Sequence, residues 1–90
     1  MRIFTTRRFD RRLVSFAKSH PDLLSAVREM MVEISEDPLK PNLRTHKLSG
    51  PLKGCLAASI NYEYRIVFTM DSDGVCFIDI GSHDDVYRLR

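Results

Sequence analysis

The chain has 90 residues, of which 43% are hydrophobic and 29% are charged, and its formal net charge is +2. A chain of this length builds one modest core, so we predict a single domain over residues 1–90. No apolar run approaches the roughly 18–20 residues of a membrane span, and the N-terminus lacks the apolar run of a signal peptide. These properties argue against a membrane protein. They favour a cytoplasmic protein whose two cysteines, Cys55 and Cys76, are reduced.

The charge is distributed unevenly along the chain. Residues 1–20 carry six basic side chains and one acidic one, and residues 38–56 carry four basic side chains and no acidic one. A purely positive segment that contains a histidine is the charge pattern expected of a phosphate-binding surface. The alternative is a basic surface that faces solvent and binds no phosphate.

The chain begins with a short predicted strand over residues 2–6, which two amphipathic helices follow. Apolar residues of the first helix recur at i, i+4, i+7 and i+8 from Phe9 onward, so they share one face. His20 and Pro21 interrupt this pattern, because proline restricts the residue before it and cannot continue a helix. The second helix is predicted to extend to about Asp37, and its two methionines are predicted core residues.

A set of strands joined by short turns is predicted after the helices. Consecutive strands with such short connections pair antiparallel. The sequence therefore predicts an α+β protein, with an N-terminal strand, a helix hairpin and then an antiparallel β-meander packed on the helices. The predicted segments are an extended stretch over residues 44–48 and strands over residues 52–60, 64–70 and 75–80.

Strand alternation divides the residues of the meander between two faces. One face, which carries Ile66, Phe68, Cys76 and Ile78 among others, is expected to meet the helices. The opposite face is half polar and is expected to form an open groove. Its predicted members are Ala57, Ser59, Arg65, Val67, Thr69, Phe77 and Asp79.

The C-terminal segment of the chain contains candidate catalytic groups. We predict a sharp turn at Gly81 and a short loop that holds His83 and Tyr87 on a rigid support. Histidine gains or loses a proton near neutral pH, so His46 and His83 in one groove could act as base and acid in cleaving RNA through its own 2′-hydroxyl. The rigid, permanently charged fork of Arg65 suits the phosphate.

Simpler interpretations of the same residues stay open. The stretch over residues 81–85 could be only a polar turn, Arg65 could pair with Asp79 or Glu63, and Tyr87 could pack against the edge of the sheet. The chemistry described above needs no metal and no cofactor, and the sequence contains no recognised metal-ligand spacing.

Three segments, in this order and at these separations, resemble the RelE/ParE superfamily of toxins from bacterial type II toxin–antitoxin systems. The segments are residues 46–50 (HKLSG), 60–68 (INYEYRIVF) and 80–87 (IGSHDDVY). The resemblance covers nearly the whole chain and is closest to the YafQ-like and RelE-like messenger-RNA interferases. It implies a ribosome-dependent endoribonuclease without a cofactor. It also implies a monomer that forms a hetero-oligomer with a cognate antitoxin.

The resemblance also implies roles for individual residues. His46 and His83 match family histidines and would transfer protons, Arg65 would bind the phosphate, and Glu63 and Tyr87 would support them. Ser59 stands where YafQ-like enzymes have another histidine. The basic residues expected to contact messenger or ribosomal RNA are Lys47, Lys53, Arg44, Arg8, Arg11 and Arg12.

Two other functions fit the same resemblance. A ParE-like toxin would block DNA gyrase and cleave nothing, and a degenerate toxin would only bind its antitoxin. The paired histidines and Arg65 favour the nuclease, because a protein that only binds gyrase does not need them.

Overall fold

The computed structural model describes residues 1–88, and for Arg88 it describes the main chain alone. No helix within this range is long and apolar enough to cross a membrane. The elements are β1 (Arg2–Thr5), α1 (Arg7–Ser19), α2 (Leu24–Glu36), β2 (His46–Lys47), β3 (Leu56–Ser59), β4 (Tyr64–Asp71), β5 (Gly74–Ser82) and α3 (His83–Arg88). Single 3-10 turns precede α2, β2 and β3.

The described strands form one five-stranded sheet in the order β1-β5-β4-β3-β2. Strands β2 to β5 pair antiparallel, and β1 pairs parallel with β5 at the other edge. The predicted α+β fold, with its helix hairpin and antiparallel meander, is therefore confirmed. Strand β3 begins later than predicted, because Gly50–Leu52 form a 3-10 turn instead of extended chain.

The two long helices end and begin as their sequence predicts. The Thr6 hydroxyl caps α1 by accepting a hydrogen bond from the Phe9 amide at 3.0 Å. The helix ends at His20, and Pro21 opens a 3-10 turn that leads into α2. Phe9 and Met30 lie in the buried core, as the amphipathic pattern requires.

A β-bulge changes the side-chain alternation of β5. Phe68 pairs with Phe77 and Val67 pairs with Asp79, so Ile78 has no partner in the ladder. The prediction that Ile78 faces the helices and Phe77 the open face is consequently wrong. Phe77 is buried in the helix-side core, and Ile78 packs against the cluster on the opposite face.

The opposite face of the sheet is partly covered by α3, so the prediction of an open groove there is wrong in part. The strand continues through Gly81 to Ser82, and a helix begins at His83 where a loop was predicted. The Ser82 hydroxyl accepts from the Asp85 amide at 3.1 Å, which starts the helix. Val86 is fully buried against this face, in one cluster with Ala57 and Val67.

Gly74 allows β1 to approach the turn between β4 and β5. Its φ is +152°, and a Cβ at this position would collide with the main-chain carbonyl of Arg2. We expect Gly74→Ala to lower the free energy of unfolding by about 2–5 kcal/mol, because a strained backbone of about 1–2 kcal/mol adds to overpacking of about 1–3 kcal/mol. Urea denaturation measures the loss.

Gly50→Ala is the matched control for this prediction. Gly50 also has a positive φ, of +63°, but a Cβ there meets no atom within 4 Å. Its substitution should therefore cost only the backbone strain, about 1–2 kcal/mol. An equal loss at both glycines would show that the contact with β1 is unimportant.

Candidate functional site

The predicted histidines meet in one pocket of about 500 Å³. We call it the histidine pocket, and it is lined by His46, Lys47, Leu48, Ser49, Gly50, Pro51, Leu52, His83 and Tyr87. Strand β2 supplies one histidine and α3 supplies the other. The 3-10 turn at Gly50–Leu52, whose Gly-Pro sequence is a turn signal, forms another wall of the pocket.

His83 stands at the first position of α3 and is exposed. Its ring meets that of Tyr87 edge to face, with centroids 4.3 Å apart and planes at 79°. Its amide donates to the Glu63 carbonyl at 3.3 Å. The ring nitrogen Nδ1 lies 3.6 Å from a carboxylate oxygen of Asp84. The imidazole is therefore oriented by its neighbours but remains open to a ligand.

His46 lies on β2, which forms another wall of the pocket. It pairs with Ala57 in the sheet, and its Nδ1 lies 3.3 Å from the main-chain oxygen of Arg44. A proton on Nδ1 donates to that oxygen and leaves Nε2 as the basic nitrogen. Arg44 adopts a left-handed conformation with φ +51°, so β2 is confined to two residues.

Arg65 is anchored by the turn that precedes β4. Its Nη1 donates to the main-chain oxygens of Asn61, Tyr62 and Tyr64 at 2.9, 3.1 and 3.2 Å. The Arg65 guanidinium therefore binds main-chain carbonyls. The buried carboxylate of Asp79 pairs with Arg8 and Arg12. In the ladder Arg65 pairs with Ser59 of β3 and Gly81 of β5.

The predicted supporting residues lie in different places. Tyr87 lines the histidine pocket, and the charge of Arg65 acts on its hydroxyl. Glu63 is absent from the pocket lining, and its charge contributes to the raised pKa of the adjacent Tyr64 phenol. Its main-chain oxygen is the part that reaches α3, through the amide of His83.

The basic residues predicted to contact RNA separate into three pairs. Lys47 lines the histidine pocket, and with Lys53 it also lines a neighbouring apolar cavity of about 540 Å³. Arg8 and Arg12 instead pair with the buried carboxylate of Asp79, at 3.3 and 3.1 Å. Both lie on α1, whereas the pocket is formed by β2, the turn after it and α3. Arg44 and Arg11 are exposed.

Sequence reasoning missed the role of Asp79 because it placed this residue on the open face. A lone aspartate in a β-branched strand is itself the signal, because a buried carboxylate requires charged or hydrogen-bonding partners. Among residues 1–88, no three His, Cys, Asp or Glu side chains gather so as to hold a metal ion.

The pKa values of two tyrosines, Tyr87 in the histidine pocket and Tyr64 outside it, are raised. Burial is the main cause for both; the charge and hydrogen bond of Glu63 raise the pKa of Tyr64 further, and the charge of Arg65 opposes the rise for Tyr87. A phenol whose pKa is raised on folding stabilises the folded state below its ordinary pKa of 10.0. That contribution is lost as the pH rises through the folded-state pKa.

We therefore expect Tyr64 and Tyr87 to ionise above pH 10.0 in the folded protein. Phenolate absorbance should show this, because Tyr64→Phe and Tyr87→Phe should each remove a component from the alkaline part of the titration. If either substitution removed a component that titrates below pH 10.0, the conclusion that burial raises the pKa of that tyrosine would be wrong.

One protein-family model matches the chain over residues 1–88. The family is described as the bacterial toxin of the type II toxin–antitoxin system, YafQ. The match includes the histidine pocket, Arg65 and the whole sheet. No curated protein sequence matches this chain.

Solved structures share the fold at low sequence identity. YafQ from E. coli strain BL21(DE3) superposes with a TM-score of 0.85 at 17% identity, covering 96% of this chain and 97% of that one. A YoeB/ParE toxin from Agrobacterium tumefaciens gives 0.78 at 15% identity, with 92% and 99% covered. A chain of the heterotetrameric YoeB–YefM toxin–antitoxin complex from Staphylococcus aureus gives 0.75 at 20% identity, with 92% and 97% covered.

Proposed function

Because this chain belongs to the YafQ family of type II toxin–antitoxin toxins, we propose that it is a ribosome-dependent endoribonuclease that cuts messenger RNA. The observation that carries the proposal is the histidine pocket, which brings His46 and His83 together with Lys47 and Tyr87. Its volume of about 500 Å³ lies within the roughly 300–1,000 Å³ typical of ligand sites.

The proposed reaction is a transfer within the RNA strand. One histidine, in its neutral form, takes the proton of the 2′-hydroxyl, and the 2′-oxygen attacks the adjacent phosphorus. The bond from phosphorus to the 5′-oxygen breaks, and the other histidine, in its protonated form, gives that oxygen a proton. The products are a 2′,3′-cyclic phosphate and a free 5′-hydroxyl, so atoms and protons balance.

Cationic groups around the pocket would stabilise the charge on the phosphate. Lys47 lines the pocket itself, and Arg65 is close enough for its charge to act on Tyr87. The three carbonyl bonds to Nη1 keep the Arg65 guanidinium in place before RNA arrives. A preorganised cation stabilises developing charge without a further cost of reorientation.

The proposed partners are the ribosome, its messenger RNA and a cognate antitoxin, and the ribosome places the activity in the cytoplasm. We expect a monomer alone and a hetero-oligomer with the antitoxin. The toxin–antitoxin complex of the structural relative from Staphylococcus aureus supports this expectation by fold. The exposed edge strand β1 and the apolar cavity beside Lys53 offer surfaces for an extended partner segment.

Primer extension on a reporter messenger RNA in a translating bacterial extract tests the function. Wild-type protein should produce cuts in phase with codons, and these cuts should disappear when translation initiation is blocked. Cuts on naked RNA at the same rate would contradict ribosome dependence. No cuts, together with inhibition of gyrase supercoiling, would favour the ParE-like alternative, and no effect in either assay would favour a toxin that only binds its antitoxin.

A further inference from the structure

Tyr62 is the most exposed large hydrophobic residue in the described part of the chain. It is 91% exposed, at the tip of the turn between β3 and β4. Aromatic side chains this exposed gain nothing from burial in the fold. Core packing therefore does not account for the aromatic ring at this position, which is next in sequence to the residue whose carbonyl contacts the His83 amide.

The main chain that carries Tyr62 is rigid. The Asn61 side-chain oxygen accepts from the amides of Glu63 and Tyr64 at 2.8 and 2.9 Å. Arg65 binds the oxygens of Asn61, Tyr62 and Tyr64 from the other side. Every residue of the turn thus has its backbone fixed, whereas the Tyr62 ring projects freely.

The same turn is joined directly to the histidine pocket. The main-chain oxygen of Glu63, next to Tyr62, accepts a hydrogen bond from the amide of His83. The guanidinium that binds the Tyr62 carbonyl is the proposed phosphate-binding group, Arg65. The main chain that carries the Tyr62 ring is therefore held by the two residues that would act on the scissile phosphate.

We propose that Tyr62 is a base-stacking platform, which binds an unpaired RNA base while the adjoining phosphate occupies the histidine pocket. The ligand is an unpaired base, supplied either by the message near the cut or by ribosomal RNA. Stacking suits this role because every base has a flat π-face and the ring needs no partner of defined sequence. A turn that is already ordered loses little conformational freedom when the base binds. This inference rests on the proposed function.

The test compares Tyr62→Ala, Tyr62→Phe and Tyr62→Leu with the wild type. The first measurement is the dissociation constant for a short single-stranded RNA whose 2′-hydroxyls are methylated, which prevents cleavage. Tyr62→Ala should weaken binding by about 5- to 150-fold, the range that corresponds to the loss of one stacked base. Phenylalanine should retain wild-type affinity, and leucine should behave like alanine, because it offers apolar area without a π-face.

Abasic RNA and purified ribosomes identify where the base comes from. If the base belongs to the message, an abasic nucleotide at the stacked position should remove the difference between wild type and Tyr62→Ala. If it belongs to ribosomal RNA, the substitution should weaken binding to ribosomes that carry no message. Equal affinity of wild type and Tyr62→Ala in both assays would overturn the proposal, as would full rescue by leucine.

Val14→Ala is the matched control, since Val14 is 58% exposed but lies on α1. It should leave RNA binding unchanged, and all variants should keep the wild-type melting temperature.

Failure of the stacking proposal can be distinguished from failure of the proposed nuclease function. Binding to RNA that depends on Tyr62, without cleavage in the extract, would end the nuclease proposal and keep the stacking role. Cleavage in the extract together with RNA affinities that do not depend on Tyr62 would end the stacking proposal and keep the nuclease proposal.

Discussion

Replacing His83 by alanine is expected to lower the rate of RNA cleavage by about 10²–10⁴-fold, the usual contribution of one general acid or base. The imidazole lines the histidine pocket, remains exposed and is oriented by the Tyr87 ring. Its loss should remove a proton transfer and leave RNA binding largely intact. Single-turnover cleavage of a reporter message on purified translating ribosomes separates these two effects.

His20→Ala is the control for this variant, because the ring of His20 lies outside the histidine pocket. It packs against Phe16 and Tyr64, with centroids 4.8 and 4.6 Å apart. Cleavage should survive its loss in protein that remains folded by circular dichroism. Unchanged cleavage by His83→Ala would instead move the proton transfer to His46 or Glu63.

The double variant of His46 and His83 adds a second check on the same mechanism. If both groups act in one transition state, removing both should cost little more than removing the more important one, because catalytic groups that act together are not additive. Fully multiplicative losses would indicate that the two histidines serve separate steps.

A large effect on stability is also expected at Asp79. Its carboxylate is fully buried and contacts Arg8 and Arg12 at 3.3 and 3.1 Å. Asp79→Ala should lower the free energy of unfolding by about 3 kcal/mol, the lower end of the range for breaking a buried ion pair. The lower end applies because solvent reaches the arginines, whose side chains are 40% and 31% exposed. The midpoint of urea denaturation measures the loss.

Glu33→Ala provides the comparison for Asp79→Ala. Glu33 pairs with Lys40 at 2.9 Å, a shorter distance than either contact of Asp79, but this pair lies in solvent. Its removal should shift the midpoint of denaturation only slightly, since water screens exposed charges. If the two variants lost equal stability, burial would not be what makes Asp79 important.

The order of elements was predictable because it depends on local signals. Proline and glycine mark the ends of the helices and the hairpin turns, and apolar periodicity distinguishes the helices from the strands. The β-bulge at Ile78 was not predictable, because Phe77 and Ile78 are both apolar and either register would bury one of them. Whether Phe77 or Ile78 faces the helices depends on packing against Phe9 and Phe68, which sequence spacing does not report.

The site was predictable in part. The resemblance identified His46 and His83, and the structure places them in one pocket even though the sequence separates them by 37 positions (83 − 46). Helix α3 was missed because a serine followed by acidic residues fits a turn as well as a helix start. The pairing of Arg8 and Arg12 with Asp79 was not predicted, because it depends on tertiary contacts between distant parts of the chain.

The parallel pairing of β1 with β5 also constrains the order of events during synthesis. Residues 2–5 find their sheet partners at residues 74–77, which are made only after the intervening residues 6–73. Long-range contacts of this kind form late and slow the folding reaction. His83 follows directly on β5, so the histidine pocket is assembled only after that strand has emerged and paired. A nascent chain of this protein therefore cannot carry a complete site before Tyr87 has been translated.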